Sequence, residues 1–223
     1  MIRAVIFDMF ETLITHYSSE LYFGAQMARD AGISEEKFQI LWRPTEYERT
    51  IGMLTLEEII TNILEVNHCY TKERLNVIVA KRIAAKEACF HNLHPEIIPM
   101  LEGLKQRNRM VGLISNCFSE EAKVIRASVL FPYFDALYLS YEQGIQKPDV
   151  EIFRRCMEEL SVKPEECLYV GDGGSEELET ARAIGLRAVQ AAWYLKDGTS
   201  QPAARKEDFS PLESPLEVLR AIH

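Results

Sequence analysis

Asp8 closes the apolar run Ala4-Val5-Ile6-Phe7, and Asp172 follows a second such run, Cys167-Leu168-Tyr169-Val170-Gly171. Acids at the carboxyl ends of buried strands can hold a hard divalent cation, which takes few carboxylates, several waters and other oxygen ligands. Two more polar signals fall at comparable places. Ser115-Asn116 follows Met110-Val111-Gly112-Leu113-Ile114, and Lys147 stands in Gln146-Lys147-Pro148-Asp149 ahead of a helical pattern. Hydroxyl, amide and ammonium groups are what an anionic ligand needs. Each signal also has a plain reading. An Asp after a strand serves as a turn or cap residue, Ser-Asn caps a helix, and Lys-Pro-Asp opens one. Gly171-Asp172-Gly173-Gly174 fits neither a P-loop nor a dinucleotide fingerprint.

The elements that must position these groups alternate. Apolar runs at 3–7, 110–114, 136–139, 167–170 and 187–190 predict strands of a sheet buried on both faces. Helical patterns at 96–107, 120–129, 150–160 and 175–184 separate them. The expected fold is therefore α/β, a Rossmann-like doubly wound parallel sheet. A last helix opens at Ser214, with Pro215 at its first position and Glu217 closing a capping box. Residues 15–86 break the alternation and predict helices at 19–30, 35–50, 56–66 and 72–89, with starts at Thr55 and Thr71 and an end at Gly32. The expected organisation is a core of residues 1–14 and 87–223 with a helical cap domain of residues 15–86. Inserted after the first strand, such a block lies over the carboxyl ends of the sheet, where open α/β folds bind ligands. Residues 196–210 are polar and predict a surface loop.

Bulk properties limit the function classes. The 223 residues carry a formal net charge of −9, with 47% hydrophobic and 26% charged residues. An acidic surface lacks the basic footprint of nucleic-acid binding. The five cysteines form no CxxC pair, so neither a disulfide framework nor a zinc site is expected. The N-terminal apolar run is too short for a signal peptide, and no stretch reaches the length of a membrane span. A soluble cytoplasmic protein, monomer or homodimer, with no nucleic-acid or membrane partner, is the expectation.

Phe7-Asp8-Met9-Phe10-Glu11-Thr12-Leu13, Leu113-Ile114-Ser115-Asn116, Lys147-Pro148-Asp149 and Val170-Gly171-Asp172-Gly173-Gly174 together resemble the four motifs of the haloacid dehalogenase-like superfamily. The helical block fits that superfamily's small C1-type cap, so the resemblance spans the chain. It implies a hydrolase in which Asp8 is a covalent nucleophile and Thr12 the motif-one threonine. Ser115 is implied as a phosphate-binding hydroxyl with the Asn116 N–H beside it, and Lys147 as the lysine that balances charge between nucleophile and phosphate. Mg²⁺ is implied on Asp8, Asp172 and the Phe10 main-chain carbonyl, with a small phosphorylated metabolite as substrate. Glu177 sits where many members carry a second acid, expected to orient a water or Lys147. The chemistry is coherent, because a carboxylate facing a phosphate dianion needs cationic compensation.

Two departures matter. Phosphatases that this chain resembles carry an Asp two residues after the nucleophile, which protonates the leaving group; here Phe10 stands there. Glu11 beside it should project away. An aromatic at this position is similar to the true 2-haloacid dehalogenases, as is Leu41-Trp42-Arg43, whose Arg43 then becomes an anion clamp. Against that, dehalogenases lack the motif-four acid, and Phe153 stands where they carry Tyr. The expectation is a Mg²⁺-dependent phosphatase-like hydrolase. The alternatives are a metal-independent dehalogenase and a phospho-ligand binder with little turnover. His16 reads as a surface or hinge residue, and Tyr17, Tyr22, Trp42, Tyr47 and Trp193 mainly as packing.

Overall fold

A computed structural model describes residues 1–195 and 204–223. In chain order the elements are β1 (Ala4–Phe7), α1 (Gly24–Ala31), α2 (Glu35–Trp42), α3 (Glu46–Thr50), α4 (Leu56–Val66), α5 (Lys72–His91) and α6 (Ile97–Gln106). There follow β2 (Met110–Ser115), α7 (Ser119–Ala127), β3 (Ala136–Leu139), α8 (Ser140–Gln143) and α9 (Val150–Glu159). The chain ends with β4 (Cys167–Gly171), α10 (Glu177–Ala183), β5 (Arg187–Ala191), β6 (Pro211–Leu212) and α11 (Val218–Ala221). Among the described residues the six strands form one sheet in the order β3-β2-β1-β4-β5-β6, every pair parallel. The doubly wound α/β fold is the one expected. Of the 196–210 loop, residues 196–203 lie outside the described residues.

Alternation along the strands sets the two faces. Val5 and Phe7 pack with Leu101 of α6, Ile125 of α7 and Val218 of α11. Ala4 and Ile6 pack with Phe153 of α9 and Leu178 of α10. All four β1 side chains are fully buried, as parallel sheets covered on both faces require. The register pairs Phe7 with Leu113 and Val170. The residues that follow these three strands therefore emerge together at the carboxyl end of the sheet.

The helical insert has a core of its own. Met27, Phe38, Ile60, Ile63 and Ile78 belong to a cluster separate from the two that flank the sheet. Thr55 caps α4 by accepting the Glu58 N–H at 3.2 Å, while Glu58 accepts the Thr55 N–H at 2.8 Å. Thr71 caps α5, and Gly32 (φ +73°) ends α1. α5 runs unbroken through residue 86, the point where the cap was expected to end.

Three expected helices differ in detail. The one placed at 19–30 starts only at Gly24, where the Gln26 side chain accepts the Phe23 N–H. The one placed at 35–50 is broken into α2 and α3 by Pro44, inside a 3₁₀ turn over Arg43–Thr45. Proline lacks the N–H and crowds the preceding turn. The Ser214 capping box does not form. Ser214 makes no side-chain cap bond, and Glu217 instead accepts the Glu213 N–H at 2.7 Å.

A buried ionic network ties α5 to α7. Arg82 Nε donates to Glu120 Oε1 at 3.0 Å and Lys86 Nζ meets Glu121 Oε1 at 2.6 Å, with all four residues no more than 5% exposed. Burial opposes ionisation of Glu121, but Lys86 and Arg82 together hold its carboxyl down to about 2. Removing one partner of such a set strands the other charge. Arg82→Met is expected to cost about 3–5 kcal/mol, read as a lower urea midpoint. A midpoint equal to wild type would refute the network's role.

Candidate active site

The strand ends converge. Asp8 follows β1, its N–H donating to the Val170 carbonyl at 2.9 Å. Lys147, reached by the loop after α8, is 2% exposed and its Nζ lies 2.5 Å from Asp8 Oδ1. The same Nζ approaches the Tyr169 hydroxyl of β4 at 3.4 Å. The loop that carries Lys147 is pinned by Asn116. Its Oδ1 accepts the Lys147 N–H at 2.8 Å, and its Nδ2 donates to the Lys147 carbonyl at 3.0 Å. Sequence reasoning gave Asn116 a main-chain role only. The side-chain clamp, like Tyr169, had no local signal.

Asp172 follows β4. Its Oδ1 accepts the Gly174 N–H at 3.0 Å, and its own carbonyl accepts from the Gln190 amide of β5 at 2.8 Å. Glu177, fully buried at the start of α10, accepts the N–H groups of Gly173 and Ser175, each at 2.7 Å. It thus braces the motif-four turn instead of reaching Lys147. Gly171 must be glycine for this seat, since a Cβ there would meet Glu177 Oε1 at 2.9 Å. Oxygens of Asp8, Asp172 and Glu177 lie within 4.8 Å of one another.

Three carboxylates so close and so buried repel. Burial pushes the Asp172 carboxyl up to about 8, with Asp8 and Glu177 adding to the rise. Burial also raises Asp8 above its ordinary range; Lys147 pulls against the shift and Glu177 adds to it. Lys147 is raised in turn, because Asp8, Glu177 and Asp172 outweigh its burial. An excess of anionic oxygens at one point is the donor set of a hard divalent cation. The residues present fit Mg²⁺.

Above this floor opens a cavity of about 810 Å³. Asp8, Phe10, Asn116, Lys147 and Asp172 face it from the sheet, and Arg43, Tyr47 and Thr50 from the insert. Arg43 thus reaches the cleft, at the helix break made by Pro44. Thr12 and Ser115 are fully buried and do not line it. The Ser115 hydroxyl is directed at the Asn116 carbonyl at 3.4 Å, and the Thr12 carbonyl accepts from the Trp193 indole at 2.8 Å.

Around Phe10 the chain turns tightly. Glu11 adopts φ +56° and is 2% exposed, its carboxylate accepting from the Thr15 hydroxyl at 2.6 Å and the His16 N–H at 3.0 Å. It is bound into the turn. His16 is half-buried and lines the cleft. Its ring stacks on Phe10 with centroids 4.7 Å apart, and its nitrogens lie 3.3 and 3.5 Å from Lys86 Nζ. Burial and then Lys86 push the imidazole down to about 3, so it is neutral at physiological pH. Tyr17 and Tyr47 do line the cleft. The five cysteines are free, and burial raises the thiol of Cys117 beside the site.

The model of the haloacid dehalogenase-like hydrolase family matches residues 2–185. The chain belongs to that family. Haloacid dehalogenase-like relatives include a glyceraldehyde 3-phosphate phosphatase of Methanopyrus kandleri, 27% identical over all of this chain and 97% of its own length. Solved structures of the fold include a Bacteroides thetaiotaomicron HAD family enzyme in complex with magnesium and inorganic phosphate (TM-score 0.62, 21% identity, 90% of this chain and 97% of that one). The L-2-haloacid dehalogenase of Xanthobacter autotrophicus reaches the same TM-score, 0.62, at 20% identity over 100% of this chain and 98% of its own. The fold therefore does not separate the two chemistries. This chain is a haloacid dehalogenase-like hydrolase, and no described helix is long and apolar enough to cross a membrane.

Proposed function

We propose that this hydrolase is a Mg²⁺-dependent phosphatase of a small phosphorylated metabolite, with Asp8 attacking phosphorus to form an aspartyl-phosphate. The observation that carries this reading is the buried cluster of Asp8, Asp172 and Glu177 with Lys147 2.5 Å from the nucleophile. A dehalogenase displaces halide from carbon and brings no phosphate dianion up to the nucleophile, so it needs no divalent cation at such a cluster. Asp8 and Asp172 would hold the ion with the Phe10 carbonyl, while Glu177 keeps the motif-four turn in place. When bound, Mg²⁺ supplies positive charge that offsets repulsion between nucleophile and phosphate. Lys147 does the same from the protein side, and the Asn116 clamp fixes its height. Thr12 and Ser115, beneath the floor, are proposed to set the backbone of the two loops, their hydroxyls coming within reach of phosphate only when those loops shift on substrate binding. Residues 15–86 act as the cap, with Arg43 at its mouth. The Methanopyrus relative is named for a three-carbon sugar phosphate, and a cleft of about 810 Å³ has room for a substrate of that size or larger.

The deciding experiment compares phosphate release from a panel of phosphorylated metabolites with halide release from 2-chloropropionate, each with Mg²⁺ and with EDTA. Mg²⁺-dependent phosphate release is the expected result. Phe10 and Arg43 give the dehalogenase reading its one foothold. Halide release in EDTA that is lost in Arg43→Ala would replace the phosphatase reading.

A pH test follows from Asp172. Its carboxyl is raised in the folded protein, so it favours folding below its unfolded value, near 4, and that contribution is lost as pH rises through about 8. The metal-free protein should therefore lose thermal stability from pH 5 to 8. Mg²⁺ should restore it, with a shift in Tm that widens with pH. Each kcal/mol is worth about 2–4 °C in a chain of this size. A Mg²⁺-induced shift that is constant across pH 5–8 would rule out Asp172 as a ligand.

A further inference from the structure

A second cavity of about 250 Å³ opens into the insert and shares Arg43, Glu46, Phe118 and Glu121 with the main cleft. Its walls carry an excess of cation. Arg82 and Lys86 are taken up by Glu120 and Glu121. Arg49 is not. It is 2% exposed, and its guanidinium lies 3.7 Å from the Trp42 ring centroid and 4.3 Å from that of Phe118. Its Nε donates to the Thr45 hydroxyl at 3.3 Å and its Nη2 to the Trp42 carbonyl at 3.1 Å. Nη1, equally buried, has no hydrogen-bond partner among the described residues, and no carboxylate among them lies within ion-pair distance of Arg49. Burial lowers its pKa to about 10, with Glu120, Glu46 and Glu121 opposing the fall from beyond ion-pair distance and Arg82 adding to it, so the charge stays on at neutral pH.

A buried guanidinium with no ion-pair partner and an unbonded terminal nitrogen is costly unless something anionic meets it. The aromatic walls give a low local dielectric, in which a matching anion is held more strongly than in water. The anion that matches is small and singly charged, because one terminal nitrogen and one charge are left over. We infer that this chamber receives the carboxylate of a phosphorylated carboxylic acid, with Arg49 as its counter-charge. The inference rests on the phosphatase reading for where the phosphate sits. It narrows the substrate class from phosphorylated metabolites in general to those bearing an acid at the far end.

The test is calorimetric titration in Mg²⁺ with four probes: 3-phosphonopropionate, its carboxamide, propylphosphonate, and propane-1,3-bisphosphonate. Wild type should bind the carboxylate at least about tenfold more tightly than the amide or the alkyl phosphonate, as charge-assisted bonds allow. Arg49→Met keeps a stem between the two rings and should erase the preference, while Arg49→Lys should keep part of it. Equal affinity for acid and amide in wild type overturns the inference, as does a preference that survives in Arg49→Met. Tighter binding of the bisphosphonate than of the carboxylate also overturns it, assigning the chamber to a second phosphate. Propionate alone, followed by Trp42 fluorescence in a Trp193→Phe background, separates the two proposals. Quenching that depends on Arg49 when no phosphonate binds keeps the subsite and sinks the phosphatase reading; no quenching and no phosphonate binding sinks both.

Discussion

Asp8→Asn is expected to lower kcat by at least about 10⁴-fold, the scale on which loss of a nucleophile is felt, while the fold survives. The side chains are nearly isosteric, and the amide oxygen can still accept from Lys147, which now stands 2.5 Å from the carboxylate. What is lost is the anionic oxygen that attacks phosphorus. Stability should move the other way. Asp8 is one of the carboxylates that raise Asp172, and its own carboxyl is held above the ordinary range by burial. Removing its charge relieves repulsion within the cluster, so the metal-free variant should melt no lower than wild type at pH 8. The measurement pairs kcat for p-nitrophenyl phosphate with Tm in EDTA. Turnover within tenfold of wild type would end the covalent mechanism, and a fall in Tm would show that Asp8 holds the fold together instead.

Much of the frame could be read from residue order, because parallel strands buried on both faces write themselves as short apolar runs. β1 to β5 all lie within a residue of their expected bounds. β6 did not, since Pro211–Leu212 is too short to show a period. Local breakers were harder to weigh. Pro44 was passed over inside an amphipathic stretch, yet it turns the chain so that Arg43 reaches the cleft. At the site, Asp8, Lys147 and Asp172 stand out because each follows a strand or opens a helix. The groups missed are those whose meaning lies in long-range pairing. Tyr169 reads as one more core residue of a strand, and nothing near it points to Lys147. Arg82 meets Glu120 and Lys86 meets Glu121 across dozens of residues, and each alone reads as a solvated helix charge. Arg49 had one usable hint. Its spacing of seven from Trp42 places both on one helical face, but only the Phe118 ring, from another element, encloses the guanidinium.

The widest expected difference between substrates comes from Phe10. The carboxylate beside it, Glu11, is occupied by Thr15 and the His16 N–H, and the imidazole stacked on Phe10 is neutral. Neither of these two groups is thus poised to protonate a departing alkoxide. An aryl leaving group such as p-nitrophenolate departs as a stable anion; a sugar or alkyl alkoxide does not. General acid catalysis is worth about 10²–10⁴-fold, and the kcat/KM ratio of aryl to alkyl phosphate should be of that order. Phe10→Asp should narrow it by raising alkyl turnover more than aryl. Two effects limit the gain. The smaller side chain leaves a void where the ring packed against His16. The new carboxylate also adds negative charge to a site that already crowds Asp8, Asp172 and Glu177, and works as an acid only while protonated. A rescue of about tenfold, below the full general-acid range, is the expected outcome. The check is a paired kcat/KM measurement for p-nitrophenyl phosphate and a set of alkyl phosphates in both proteins. If wild type already cleaves an alkyl ester as efficiently as the aryl one, another residue supplies the proton, and Glu11 and His16 become the positions to mutate.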